Sequence, residues 1–287
     1  MVFGALAGAA FGALMLCVRR GLTRGVDAYA GAVSMLGIAV VVSALTAIPA
    51  IVGEDVHASD LWPFVLVGLV APGAAQIILI MAVRDAGPSR AAILIGTAPL
   101  ISVAIALTVL GEPFRPLLVS GTILVVAGGA VLALERARPE HFKSLGAALA
   151  LLCALLFAIR DNIARWAAKE AHPPALVATT IALAAAFSLV LAYVFLIRRN
   201  ALRVRPGAAI AAYGPAGVAL AFGYISLLLA FDHGRVSIVA PLNATQSLWA
   251  VVFAALVIGR RHEAIGPRLV TAGVLVVVGS SLIGIVR

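Results

Sequence analysis

Ten apolar stretches, nine of them free of Asp, Glu, Lys and Arg, run along this 287-residue chain. They fall at about 2–18, 28–52, 61–83, 91–110, 117–134, 144–167, 174–197, 207–230, 236–258 and 269–286. A helix needs about 20 apolar residues to cross a bilayer, and the runs are continuous, unlike the alternating strands of a barrel. With 63% hydrophobic and 11% charged residues, no soluble core could bury this surface. We predict an all-α polytopic membrane protein with ten transmembrane helices.

Short segments recur between the two halves of the chain, at offsets of 148 to 151 residues. The clearest matches are Leu110-Gly111-Glu112 with Ile258-Gly259-Arg260, Leu124-Val125-Val126 with Leu275-Val276-Val277, and Gly128 with Gly279. Because each half would hold an odd number of spans, the second copy must enter the membrane upside down. Inverted repeats of this kind are typical of secondary carriers. We predict two inverted five-helix repeats, residues 1–140 and 141–287.

The net charge of +9 is spread over loops, with no soluble domain to carry it. Short cytoplasmic loops of membrane proteins carry an excess of Lys and Arg. In alternate loops, 15 of the 21 Lys and Arg residues fall on one side, which predicts that both termini lie outside. The same distribution explains the basic balance without nucleic acid, and we expect no nucleic-acid partner.

Residues 91–113, with Pro99 in mid-span and Leu110-Gly111-Glu112 at the close, resemble the EamA-type branch of the drug/metabolite transporter superfamily. The Gly-rich span over 121–129 and the two five-span halves extend the resemblance over the whole chain. It implies cytoplasmic termini, the opposite of what the charge count predicts. It also implies solute transport without a cofactor, through a central cavity lined by the first, third, fourth, sixth, eighth and ninth spans. The second half departs from the first, with Gln246 in place of Pro99 and Arg260 in place of Glu112. The motifs specify no substrate.

Most titratable side chains lie in loops or at the ends of spans. Hydrolytic or metal chemistry needs converging carboxylates, histidines or an activated nucleophile. No HExxH, GxSxG or CxxC pattern occurs in the chain. We therefore expect no enzyme activity, no catalytic residue, no metal site and no cofactor.

Arg160 and Asp161 interrupt the sixth apolar stretch. If that helix begins near Leu145, Arg160 lies about 22 Å along it, still inside a hydrocarbon core of about 30 Å. Ionisable residues at this depth usually face a cavity and mark a solute or proton path. Two other interpretations are open. The span ends near Ile159, or Arg160 extends outward with its apolar stem in lipid.

The ninth stretch carries Asn243, Gln246 and Trp249 at intervals of three, which would place them along one helix face. An amide in hydrocarbon needs a partner, so these groups either line a solute path or join helices to one another. Pro99 and Pro241 interrupt the two halves at comparable places, as at the site of a carrier or as simple kinks. Weaker candidates for solute binding are Gln76, Thr97, Ser102 and Tyr224.

Together these features favour a secondary transporter, an exporter or facilitator that moves a small metabolite or drug-like solute by alternating access. The alternative is a non-carrier membrane protein, either a channel or a lipid-modifying or accessory subunit. We expect a monomer or homodimer in the plasma (inner) membrane of a prokaryote, with lipid and a small-molecule solute as partners. Protons join these partners only if Asp161 titrates, because coupling needs a carboxylate within the membrane.

Overall fold

The structure is a computed structural model that describes residues 1–53, 56–86, 88–133, 144–171, 173–258 and 267–285. Within those ranges the chain is helical and contains no β-strand. The helices are α1 (Val2–Thr23), α2 (Ala28–Gly53), α3 (Ala58–Gly68), α4 (Ala75–Ala86), α5 (Pro88–Ile95), α6 (Ala98–Thr108), α7 (Pro116–Ala133), α8 (Ser144–Ala171), α9 (Ala175–Ile197), α10 (Pro206–His233), α11 (Val236–Asn243), α12 (Gln246–Ile258) and α13 (Pro267–Ile285). Gly259 and Arg260 of the repeat motif lie outside the described residues.

Eight helical segments within the described ranges are long and apolar enough to cross a membrane. They are Val2–Thr23, Ala28–Gly53, Ala58–Ala86, Ala91–Thr108, Ser144–Ala171, Ala175–Ile197, Pro206–His233 and Val236–Phe253. Two shorter apolar helices, Pro116–Val131 and Thr271–Ile283, coincide with the fifth and tenth predicted spans. The prediction of an all-helical membrane protein is confirmed, and the count of ten spans stays a prediction.

The third segment is interrupted in mid-span, which the sequence analysis did not foresee. A π-helical turn over Leu69–Ala74 joins α3 to α4, and Ala71 within it has extended dihedral angles of φ −152° and ψ 127°. Ala71 precedes Pro72, whose ring disfavours the helical conformation of the preceding residue. The local sequence therefore explains the break.

Of the ten predicted spans, the fourth and the ninth are also broken. The first of these breaks is at Gly96-Thr97 between α5 and α6, and the second is at Ala244-Thr245 between α11 and α12. At an offset of 148 residues the two breaks have the same hydrogen bonds. Both the N–H and the hydroxyl of Thr97 donate to the carbonyl of Leu94, at 3.2 and 2.7 Å. Thr245 donates to Leu242 in the same way, again at 3.2 and 2.7 Å.

Proline accounts for only one of these two breaks. Pro99 lies in the first turn of α6, and because it has no N–H, the carbonyl of Ile95 loses its helical donor. Pro241 lies inside α11, before the second break. At the offset of 148 that aligns Thr97 with Thr245, Pro99 corresponds to Ser247, and not to Gln246 as expected from the sequence. A proline pattern in the sequence therefore locates the first break and not the second.

The break in the ninth segment corrects one expectation from the sequence. Asn243 is the last residue of α11 and Gln246 is the first residue of α12. Helical spacing does not continue across the intervening turn, so Asn243, Gln246 and Trp249 do not share one continuous helix face. The prediction failed because it assumed a single helix through Ala244 and Thr245.

The two halves pack against each other through equivalent helices. α1 packs against α10 and against α11 and α12, which are the third and fourth segments of the second half. In the same way, α8 packs against α3 and α4 and against α5 and α6. Other pairs across the halves include α2 with α9 and α10, α3 with α9, α6 with α11, and α7 with α13. Each half therefore contributes its first helix to the core of the other.

Small residues permit the close approach of these helices. A Cβ atom added to Gly8 would lie 2.6 Å from Thr245 Oγ1, and one added to Gly12 would lie 2.5 Å from Trp249 Cβ. The face of α1 formed by Gly4, Gly8 and Gly12 thus packs directly on the broken ninth predicted span. In lipid no hydrophobic effect drives helices together, so their association depends on close packing of this kind.

Contacts between α7 and α13 repeat at the offset of 151 residues. A Cβ atom on Gly121 would lie 2.6 Å from the carbonyl of Gly279, and one on Gly128 would lie 3.0 Å from the carbonyl of Ala272. Gly121 corresponds to Ala272 at this offset, and Gly128 corresponds to Gly279. One contact is therefore the image of the other when the halves are exchanged.

Candidate functional site

Arg160 and Asp161 lie well inside α8, which runs without interruption from Ser144 to Ala171. The interpretation that this span ends near Ile159 is wrong. At 1.5 Å per residue, Arg160 lies about 24 Å from one end of α8 and about 16 Å from the other. Each of the two residues is only 4% exposed, so Arg160 does not extend into the lipid interface.

Arg160 is held by aromatic rings from two helices. Its Nη1 donates a hydrogen bond of 2.8 Å to the hydroxyl of Tyr224 in α10. Its guanidinium carbon lies 5.4 Å from the centroid of the Tyr224 ring and 5.3 Å from that of Phe157 in α8. Cation–π contacts of this kind are strongest where water is excluded. The guanidinium is therefore held by two aromatic rings of the second half and is buried well inside the helix bundle.

Asp161 joins the two halves through a hydroxyl. One carboxylate oxygen, Oδ2, accepts a hydrogen bond of 3.0 Å from Ser102 Oγ in α6. The other, Oδ1, lies 2.8 Å from Arg160 Nε. Next to it, Asn162 Nδ2 donates to the carbonyls of Ser102 at 3.1 Å and of Ala158 at 2.9 Å. We call Ser102, Arg160, Asp161, Asn162 and Tyr224 the central polar cluster.

Three buried atoms of the central polar cluster lack a directional hydrogen bond. Arg160 Nε and Asp161 Oδ1 are close enough for a charge interaction, yet they are not aligned as donor and acceptor, and Asn162 Oδ1 has no partner. Neighbouring residues on a helix point about 100° apart, which explains the poor alignment. Buried polar atoms are seldom left unsatisfied, because each one costs free energy. These atoms present one donor and two acceptors for which a polar solute would be a partner.

A buried ion pair is costly, so its presence in the core needs a reason. Removing two charges from water costs several kcal/mol per ion, and apolar residues of similar volume often serve stability equally well. The first half of this chain has that apolar version. At an offset of 146, Phe157 corresponds to Phe11, Arg165 to Arg19, and the pair itself to Leu14-Met15. The repeat therefore does not require charges at this point of the helix.

The first helix of the chain also contacts the central polar cluster. Phe11 in α1 meets the Tyr224 ring edge to face, with centroids 5.6 Å apart and planes at 87°. The same helix packs on the broken ninth segment through Gly8 and Gly12. α1 thus lies between the central polar cluster and the helix break at Ala244-Thr245. Phe11, Phe157 and Asn162 were not singled out from the sequence, although aligning α1 with α8 would have brought out Phe11 and Phe157.

Hydrogen bonds and an ion pair join four of the residues selected from the sequence, and the described hydrogen bonds and ion pairs link none of the other five to them. The four are Ser102, Arg160, Asp161 and Tyr224. The five are Gln76, Thr97, Asn243, Gln246 and Trp249. The Thr97 hydroxyl donates to the carbonyl of Leu94 in the preceding helix α5. Trp249 is 36% exposed and stacks on Phe253, 5.7 Å away. Asn243 Oδ1 is buried without a hydrogen-bond partner, so the second break keeps one unsatisfied polar atom.

No group of three or more His, Cys, Asp or Glu side chains able to hold a metal ion occurs in the part of the chain that the structure describes. A cleft of about 310 Å³ does occur, lined by residues that include Asp27, Tyr29, Arg198 and Arg199. It lies at the ends of α2 and α9 and contains no member of the central polar cluster. We attach the candidate site to the cluster, because the cleft contains none of the buried, unsatisfied polar atoms.

Comparison with known proteins agrees with this architecture. The sequence model of the EamA-like transporter family matches two stretches of the chain, residues 1–134 and 144–285. One solved structure, described only as the crystal structure of a protein, aligns with a TM-score of 0.81 at 19% sequence identity. The alignment covers 98% of this chain and 94% of the other, and at this identity it shows the fold alone. A comparison with curated proteins gives no match.

Proposed function

The chain belongs to the EamA-like transporter family, and from that premise we propose that it is a secondary carrier with its solute site at the central polar cluster. It moves a small metabolite or drug-like solute across the plasma membrane of a prokaryote, as an exporter or facilitator. The observation that carries the proposal is the buried Arg160–Asp161 ion pair, whose Nε and Oδ1 atoms lie 2.8 Å apart beside the unpartnered Oδ1 of Asn162. A polar solute would bind the Asn162 oxygen and replace part of the ion pair.

The proposal includes an architecture of two inverted five-helix repeats, which two features of the packing support. The two helix breaks share one hydrogen-bond pattern at an offset of 148. The packing of α7 on α13 repeats when the halves are exchanged. Discontinuous helices at equivalent places in both repeats are typical of carriers, in which the substrate site lies near the midplane between the repeats. Ten spans and an alternating-access mechanism are part of this proposal.

The contacts of the central polar cluster suit a site that changes during transport. Ser102 comes from the broken fourth segment, and Arg160 and Asp161 come from α8 in the other half. A relative movement of the halves would therefore alter the partners of Asp161. If transport is coupled to protons, Asp161 is the group that would titrate. A transport rate unchanged by an imposed pH gradient would contradict that coupling.

We expect the Tyr224→Phe variant to transport its solute about tenfold more slowly, because it removes one hydrogen bond to a charged group. The measurement compares intracellular and external metabolites by mass spectrometry, in transporter-depleted cells expressing wild type or variant at matched levels. Tyr213→Phe is the matched control, since Tyr213 lies in the same helix and its hydroxyl makes only a long contact of 3.5 Å with Val26 O.

The ratio of external to intracellular concentration should change for one class of solute in cells expressing wild type or Tyr213→Phe. It should change much less in cells expressing Tyr224→Phe. An equal shift in all three proteins would place the solute site elsewhere. Gln246→Ala would then test the second break, where Asn243 Oδ1 is unsatisfied. If metabolite levels in cells expressing any of these proteins equal those in empty-vector cells, the result would count against export or uptake of the host's own metabolites.

A further inference from the structure

Glu112 joins the two halves at one end of the helix bundle. It lies in the loop between α6 and α7, and its two carboxylate oxygens accept hydrogen bonds from the backbone N–H groups of Val236 at 2.8 Å and Ser237 at 3.0 Å. Those N–H groups are in the first turn of α11, where a helix has no internal acceptors and carries partial positive charge. We call this pair of charge-assisted hydrogen bonds the Glu112 cap, and the end of the bundle where it forms the Glu112 face.

The half-helices that meet at the Glu112 face are packed together. Val103 and Leu107 of α6 form an apolar cluster with Ile238 of α11 and Leu118 of α7. In the repeat, α12 is the counterpart of α6 and α5 is the counterpart of α11. The counterpart of the α6–α11 contact is therefore a contact between α12 and α5. Over the described ranges, α5 and α12 show no packing comparable to that of α6 with α11. Among the described residues, the contact that closes the Glu112 face therefore has no counterpart of similar extent between α5 and α12.

The sequence provides the Glu112 cap for only one of the two closures. At the offset of 148 that relates the helix breaks, Glu112 corresponds to Arg260, and Val236-Ser237 corresponds to Pro88-Ser89. An arginine side chain has no acceptor atom, and proline has no backbone N–H to donate. Neither residue type is able to reproduce its part of the cap. The chemistry of the two closures is thus unequal, although the helices around them are related.

We infer that Glu112 is a positioning residue that biases the carrier toward the state closed on the Glu112 face. This inference rests on the proposed alternating-access function. The cap holds the start of α11 beside the end of α6, which closes access to the central polar cluster from that face. Opening there must break two hydrogen bonds to a carboxylate, and no equivalent cap is formed on the opposite face in exchange. The protein therefore rests in one state until solute binding shifts the balance.

The test measures the distance between α6 and α11 by pulsed electron–electron double resonance. Spin labels are placed at Thr108→Cys and Arg235→Cys, two exposed positions at the Glu112 face, after Cys17 and Cys153 have been replaced by alanine. We expect one short distance without Glu112 substitution. In Glu112→Gln, which keeps the shape and removes the charge, we expect the population at longer distance to rise about tenfold, the effect of losing a charged helix cap.

A second variant tests the cap from its other side. Val236→Pro removes one of the two donors at a helix position where proline is well tolerated, and it copies the residue present at position 88. We expect the population at longer distance to rise in this variant too, by less than in Glu112→Gln. Glu170→Gln is the matched control, because Glu170 is exposed at the end of α8 and this variant makes the same change of charge.

Distance distributions that stay the same in Glu112→Gln and Val236→Pro would overturn the inference, and so would an equal shift in Glu170→Gln. The measurement needs no transported solute, so its failure is separate from a failure of the proposed function. A protein that shows the expected shift and yet fails to transport would contradict the function and leave the cap in place.

Discussion

Replacing the buried pair by the residues of the first repeat, in the double variant Arg160→Leu/Asp161→Met, is expected to abolish transport and leave the protein folded. Leu14-Met15 occupies the equivalent place in α1, so the fold accepts apolar residues there. Exchanging a buried ion pair for apolar groups changes the free energy of unfolding by only a few kcal/mol, and often favourably. Losing the charged contacts to a solute should cost transport about a hundredfold or more.

The measurement is solute uptake into liposomes, together with thermal unfolding of the same purified protein in detergent. The matched control is Lys169→Leu/Glu170→Met, which makes similar substitutions at an adjacent charged pair on the same helix. Both residues of that pair are exposed, and we expect transport to be retained. Transport at the wild-type rate in the Arg160→Leu/Asp161→Met variant would show that the central polar cluster is structural.

The second large effect is expected for Gly68→Ala, at the end of α3. A Cβ atom at this position would overlap the backbone carbonyl of Ala182 in α9 and lie 2.8 Å from its Cα. Because the obstacle is backbone, no rotamer change relieves it, and α3 and α9 must separate. We expect the free energy of unfolding to fall by about 3 kcal/mol or more, toward the upper end for overpacked cores.

The loss is measured as a lower midpoint of thermal unfolding in detergent. Gly207→Ala is the control, because nothing lies within 4 Å of a Cβ atom at that position in the first turn of α10. Alanine also has the higher helix propensity, so the control should be neutral or slightly stabilising. A Gly68→Ala protein as stable as wild type would mean that α3 and α9 are not packed this closely.

The apolar stretches of the sequence predicted most of the helices, because the length of a membrane span and its lack of charge are strong constraints. α2, for example, was expected over 28–52 and occurs at Ala28–Gly53. The helix breaks were harder to predict. Pro99 indicated the first one, and the second has no proline at the equivalent position, so only the comparison of Thr97 with Thr245 reveals it.

The candidate site was predicted in part. Arg160 and Asp161 were visible as charges in an apolar stretch, and periodicity alone did not decide whether the helix continued through them. Ser102 and Tyr224 were weak candidates, since hydroxyl groups are common in membrane spans. Their importance comes from tertiary contacts with Asp161 and Arg160, which join residues 59 and 64 positions apart. No local sequence pattern contains that information.

The contact of Glu112 with the start of α11 was not predicted from the sequence. The motif that ends the fourth span was noted as part of a family resemblance, and its partner Val236 is 124 residues away. The difference between Glu112 and Arg260 was visible as a departure between the repeats. Its physical meaning depends on the packing of α6 against α11, which the sequence does not specify.

The most direct test of the central claim is counterflow with the purified wild-type protein in liposomes. Liposomes loaded with a high concentration of unlabelled solute are diluted into a trace of labelled solute, and internal label is followed with time. A carrier that alternates access should accumulate label transiently above its external concentration, and initial rates should saturate with solute. Label that only equilibrates, at rates linear in concentration, would contradict the account and indicate a channel.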